Sequence, residues 1–247
     1  MWEFCVETDK KNINLINYIS ERIADTIASI DGVQSVITLG NTSSLAIGCE
    51  QKYKKQIEGA LRVVLCDTIC EKMKFDFLKK HINLIINEEK LFDAFVKVYT
   101  YFDSELERKI VLRSLFFSKK LVLESFFHFR LQSLQKKWEE MCNLTNCNST
   151  LFLQSETFIE LLKFLISNLE SRSDCLVLDL ADGCRLYEEK NNKIFALQNF
   201  EIDDDINIVT SMIELCPNKI KIISGGQNSE IISLLGELFY GRVEIIR

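Results

Sequence analysis

The residues best able to do chemistry in this chain are Ser224, Gly225, Gly226 and Gln227, where an apolar strand-like run enters a paired-glycine turn and a helical pattern leaves it. Backbone N–H groups at a helix start favour anions, and glycine lets a phosphate come close. The spacing argues for less. Neither the G-x-x-x-x-G-K-[ST] phosphate loop nor the G-x-G-x-x-G dinucleotide turn occurs anywhere in the chain. The turn is therefore read first as a tight strand-to-helix corner capped by Asn228 or Ser229. A small enzyme or sensor holding a phosphorylated ligand at Ser224–Gln227 is the alternative.

Other catalytic constellations are weaker. The two histidines, His81 and His128, stand at a lysine-rich helix end and between two phenylalanines, and no G-x-S-x-G elbow supplies a nucleophile. The nine cysteines are scattered, most of them inside apolar runs such as "VVLCDTIC". They read as small buried hydrophobes of a reducing cytosol. The close pairs Cys66/Cys70 and Cys142/Cys147 lack the C-x-x-C spacing of a zinc site. Asp203, Asp204 and Asp205 suit a helix N-terminus better than a magnesium site. No catalytic residue, metal or cofactor is expected.

Charge is distributed unevenly. From Arg108 to Lys137 eight cations face only Glu124, a net of +7, which leaves −13 for the remainder of a chain that totals −6. Such a segment can steer an acidic partner or anionic lipid, or it can be a solvated face paired with the chain's own acids. Nothing in it points to specific nucleic-acid recognition. Arg130 adds a second anomaly. On one continuous helix from about Lys120, at about 100° per residue, it falls inside the apolar arc between Leu123 and Phe126. A guanidinium there either anchors an internal polar network or lines a binding groove.

These residues need elements to hold them. The chain has 247 residues, 47% hydrophobic and 27% charged, enough for a sizeable core. Its longest apolar runs fall short of the roughly 20 residues that span a bilayer, and "MWEFCVETDKK" lacks a signal pattern, so a cytoplasmic protein is expected. The fold class is α+β. Segment 1–85 reads as β-α-β-β-α, resembling a ferredoxin-like half. Segment 86–170 reads as a helical block, with Leu123, Phe127, Leu131, Leu134, Trp138 and Met141 on one helix face and a following helix expected to pack back as a hairpin. Segment 171–247 is mixed α/β, with a hairpin at Asp182-Gly183, a helix ending before the sole proline, Pro217, and a terminal β-α-β unit.

The runs "LVLESFFHFRLQSLQKKWEEM", "FIELLKFLISNLE", "DDDINIVTSMIELCPNKIKI" and "ISLLGELFYGRVEI" resemble the YtxC-like proteins of spore-forming Firmicutes. The resemblance covers about residues 121–246 and rests on the F-x-F-R-L helix, the helix–proline–strand passage and the R-V-E-I strand. The chain departs from it in stopping at Arg247, before a short cysteine-containing tail. The resemblance implies a sporulation-associated protein of unassigned activity, and the lack of a nucleophile, base or ligand cluster in the sequence favours a non-enzymatic factor acting through contacts with a protein partner. It carries over no catalytic residues.

Overall fold

The computed structural model describes residues 1–84, 89–149, 155–181, 184–195, 204–225 and 230–246. In chain order the elements begin with β1 (Trp2–Asp9), α1 (Ile13–Ala28), β2 (Gln34–Leu39), β3 (Thr42–Cys49) and α2 (Lys54–Asp67). A π-helical turn, Thr68–Met73, follows, then α3 (Lys74–His81), α4 (Glu89–Tyr101) and α5 (Ser104–Ser114). Next come β4 (Lys120–Val122), α6 (Leu123–Arg130), α7 (Gln132–Cys147) and α8 (Ser155–Ser167). The chain finishes with β5 (Ser173–Asp179), β6 (Arg185–Glu188), β7 (Ile194–Phe195), α9 (Asp204–Leu215), β8 (Pro217–Ile223), α10 (Glu230–Leu238) and β9 (Val243–Ile246). The class is mixed α+β, as the patterning implies.

These elements form two compact units, one of residues Met1–His81 with Asp103–Asn143, the other of Ile82–Phe102 with Leu144–Arg247. The helical stretch 86–170 is thus shared between them and also contains the short strand β4. Periodicity reports which face of a helix is apolar but not which core receives it.

In the first unit the sheet runs β2-β3-β1-β4, antiparallel except for the parallel β1/β4 pair. Strand β1 shows period-2 patterning: Trp2, Phe4, Val6 and Thr8 are buried, with Glu3, Cys5 and Glu7 between them on the other face. Leu45 and Ile47 continue the inner face on β3, where Ile16, Ile19 and Ile23 of α1 and Ile57, Leu61 and Leu65 of α2 complete the core. Apolar residues recurring every three or four positions make those helices amphipathic, so one face of the sheet is covered.

A carboxylate fastens this layer. Glu124, in the first turn of α6, accepts hydrogen bonds through Oε1 from Thr8 Oγ1, from the Asp9 N–H at 3.1 Å and from Asn12 Nδ2 at 2.8 Å. Partial burial pushes its pKa up, but those donors outweigh burial and hold the carboxyl below its usual range. Because the folded value is the lower one, the stabilisation is present above the unfolded pKa of about 4.3 and disappears as pH falls through the folded value. Glu124→Ala is expected to lose about 2 kcal/mol at pH 7. Urea denaturation from pH 7 to pH 3 should show the gap to wild type closing on acidification.

In the second unit the sheet order is β7-β6-β5-β8-β9, with β5, β8 and β9 parallel and β6 and β7 antiparallel additions. The hairpin expected around Asp182-Gly183 is present as the β5/β6 pair, although those two residues lie outside the described ones. Leu176, Leu178, Leu186, Ile220 and Ile222 are buried, as are Met212 and Ile213 of α9 and Ile231 and Leu235 of α10. The other face of the sheet carries the ion pairs Lys219–Glu244, at 2.7 Å, and Lys221–Glu189. Helix α8 buries Phe158 and Leu162 and packs against α4 and α10. The expected α7–α8 hairpin is therefore not how these helices bury their faces, because Leu134 and Trp138 of α7 enter the core of the first unit. No helix among the described residues is long and apolar enough to cross a membrane.

Candidate functional site

The glycine turn sits at the carboxyl end of β8. Ser224 is buried and its N–H donates to Ile246 O at 3.2 Å, so that group is committed to the sheet. Gly225 has φ +57°, and a Cβ there would come within 3.0 Å of Ala181 Cβ. Glycine is required here by backbone hand and by close packing, which accounts for Gly225 without a ligand. Gly226 and Gln227 lie outside the described residues.

Arg130 is exposed, which corrects the internal-anchor reading. The helix is not continuous. Strand β4 occupies residues 120–122, α6 spans only 123–130, and Leu131 breaks it with φ −114° and ψ 30°. Gln135 Nε2 then donates to Phe127 O at 2.7 Å, a carbonyl that also accepts from the Leu131 N–H at 3.3 Å, so two donors hold the end of α6 at the break. Leu131 O accepts from the N–H groups of Leu134 and Gln135, starting α7. Arg130 is thus the last residue of a short helix, with no further turn to cover it, and a cation there complements the helix dipole. Phe127 and Leu131 are buried on either side of it, while Phe129 is 75% exposed.

The basic segment divides in two. Arg108 pairs with Asp67 at 2.5 Å, Lys109 with Glu105 at 3.7 Å, Lys120 with Glu7 at 2.7 Å and Lys137 with Asp103 at 3.2 Å. Arg113, Lys119, Arg130 and Lys136 are exposed, with no ion pair to another described residue. Half of the charge is therefore internal.

Sequence reasoning missed a fully buried ion pair in the first unit. Lys74 and Glu107 are both 0% exposed and meet at 2.8 Å. Trp138 Nε1 donates to the other oxygen of Glu107 at 3.2 Å, and Lys137 Nζ lies 3.6 Å from it. Burial pulls the Lys74 pKa down, and the Glu107 carboxylate opposes that pull. The π turn explains why a lysine points inward. Buried positions 66, 70, 74 and 78 recur every four residues across it, a longer step than the 3.6 of an α-helix. A lysine-rich sequence read at 3.6 places this residue differently. With Phe77 and Phe127 packed against Trp138 at ring-centroid distances of 5.6 and 5.3 Å, the Lys74–Glu107 pair is closed to solvent and reads as a structural centre.

A groove of about 910 Å³ lies on the outward face of the first sheet, over Cys5, Ala46 and Gly48, with Val36, Phe117 and Lys119 among its walls. Its floor is made of small side chains. The two histidines act locally: His81 stacks on Phe77 at 4.2 Å and its Nδ1 meets Phe77 O at 2.7 Å, and His128 lies exposed beside Phe127. Of the close cysteine pairs, Cys142 is buried whereas Cys147 is exposed. The Cys66 thiol lies 3.7 Å from Arg108 O.

Comparison of the chain with protein-family models, curated proteins and solved structures finds no match.

Proposed function

We propose that this chain is a sporulation-associated factor that works through protein contacts, and that the α6–α7 corner is its contact face. The sporulation role rests on the sequence resemblance, and the observation that supports the contact face is the split of the F-x-F-R-L segment. Phe127 and Leu131 are buried in the core, while Phe129 and Arg130 stand exposed between them. Core packing accounts for the first pair and not the second. An exposed aromatic beside an arginine has the composition of an interface anchor. With Lys136 exposed one turn into α7, an acidic protein surface is the matching partner.

Deletion of the gene in its host is expected to lower the count of heat-resistant spores while leaving vegetative growth unchanged. A chain carrying Phe129→Ala and Arg130→Ala should reproduce the deletion, with stability within about 0.5 kcal/mol of wild type because both side chains are solvated. Parental spore counts in the deletion strain would remove the reading. A loss of stability in the double variant would instead make the corner structural.

A further inference from the structure

We propose that β2 is a homodimerisation edge, pairing antiparallel with β2 of a second copy about a two-fold axis centred on Ile37 to give a continuous eight-stranded sheet. The proposal stands apart from the developmental reading and uses a different surface.

The two edges of the first sheet differ. At one, β4 has only three residues, begins with Lys120 and is preceded by Lys119, and short, lysine-bearing edges are how natural sheets are kept from pairing. At the other, β2 reads QSVITL, six residues with no charge, proline or glycine, and every one of them is exposed. Val36, Ile37 and Leu39 are 60%, 42% and 63% exposed. Such a strand presents an unguarded row of backbone donors and acceptors.

Register identifies which groups are open. The Gly40 N–H donates to Thr42 O at 3.0 Å, which makes 40/42 a hydrogen-bonded pair. Hydrogen-bonded and non-hydrogen-bonded pairs alternate along an antiparallel ladder. In the observed register the pairs Thr38/Ser44, Val36/Ala46 and Gln34/Gly48 are then the hydrogen-bonded ones. Ser35, Ile37 and Leu39 therefore turn their N–H and C=O groups away from β3, toward the free edge.

Those three residues are spaced evenly about Ile37 and, like the rest of β2, carry no charge, so a second copy of the strand can bond to all three without the like-charge repulsion that self-pairing of a charged edge would bring. A two-fold axis perpendicular to the sheet keeps like faces together, so Ile37 meets its own copy, Ser35 meets Leu39, and Val36 meets Thr38. All three outward-facing residues of each strand find hydrogen-bonded partners. No two charges meet, and in the Ile37–Ile37 and Val36–Thr38 pairs β-branched residues face one another, which favours cross-strand contact. The same edge is used on both copies, so the assembly closes at two and does not propagate into a fibre. A seam of six residues is smaller than a standard interface, so a dissociation constant of about 10–100 µM is expected.

Sedimentation equilibrium of the full chain from about 5 to 500 µM tests this, read together with amide hydrogen exchange of residues 34–39. The expected result is a monomer–dimer equilibrium with slowed exchange at Ser35, Ile37 and Leu39 at high concentration. Ile37→Pro removes an N–H that β3 does not use, and Thr38→Lys adds a charge at an exposed position; each should weaken dimerisation at least about 10-fold, with circular dichroism unchanged in the lysine variant. A wild-type chain that stays monomeric throughout overturns the proposal, as does a dimer that survives Thr38→Lys unaltered. A monomer whose β2 amides are protected only by an added, unrelated valine–threonine octapeptide would assign the edge to a foreign strand and overturn it equally.

Discussion

Glu107→Ala is expected to destabilise the first unit by about 3–5 kcal/mol, the range for removing one partner from a buried ion pair. The carboxylate takes a 2.8 Å contact from Lys74 and a 3.2 Å hydrogen bond from Trp138 Nε1, with both ionic side chains wholly buried. Without it, the desolvation that already pulls Lys74 down loses its largest opposing influence, and the amine sheds its proton more readily than it stands charged in an apolar surround. That response sets the pH dependence. A folded Lys pKa pushed further below its unfolded value of about 10.4 means that the unfolded chain binds more protons, so stability of the variant rises with pH. The deficit should therefore be smaller at pH 9 than at pH 7. Pairing Glu107→Gln with Lys74→Met should recover much of the loss, because the amide oxygen still accepts from Trp138 and no ion is buried. Both tryptophans of the chain, Trp2 and Trp138, lie in the first unit, so urea denaturation followed by fluorescence reads this change directly. A deficit below about 1 kcal/mol would show that the pair is not the centre its burial implies.

Phe158→Ala is expected to cost the second unit about 3–5 kcal/mol. The ring is buried on α8, 5.6 Å from the Phe95 ring on α4, in the helical layer that α8 forms with α4 and α10. Truncation leaves a cavity that neighbours held by the β5–β8–β9 ladder collapse into only in part, which is why the penalty exceeds simple transfer. Phe164, on the same helix but 63% exposed, supplies the control: Phe164→Ala should change stability by no more than about 0.5 kcal/mol. Neither tryptophan reports on this unit, so segment-resolved hydrogen exchange over 89–101, 155–167 and 230–238 is the measurement. Equal effects of the two substitutions would mean that α8 presents a different face to the core.

Local pattern by itself determined most of the elements. The alternation in "WEFCVETD", the 3.6-residue spacing in α1, the helix before Pro217 and the strands on either side of Asp182-Gly183 each follow from the chain's own sterics and from which residues avoid water. The α+β class follows from their order. Tertiary structure decided where counting along a single helix breaks down. A π turn displaced the period and turned Lys74 inward, where Glu107, 33 residues away, makes its burial tolerable. A single non-helical residue, Leu131, ended α6 and let Arg130 leave the apolar arc that an unbroken helix would have given it. The assignment of α4 and α8 to one core and of α5, α6 and most of α7 to the other was likewise not legible. An amphipathic stripe specifies that a face must be buried, while the identity of the surface that buries it depends on long-range packing, to which helix periodicity contributes no information.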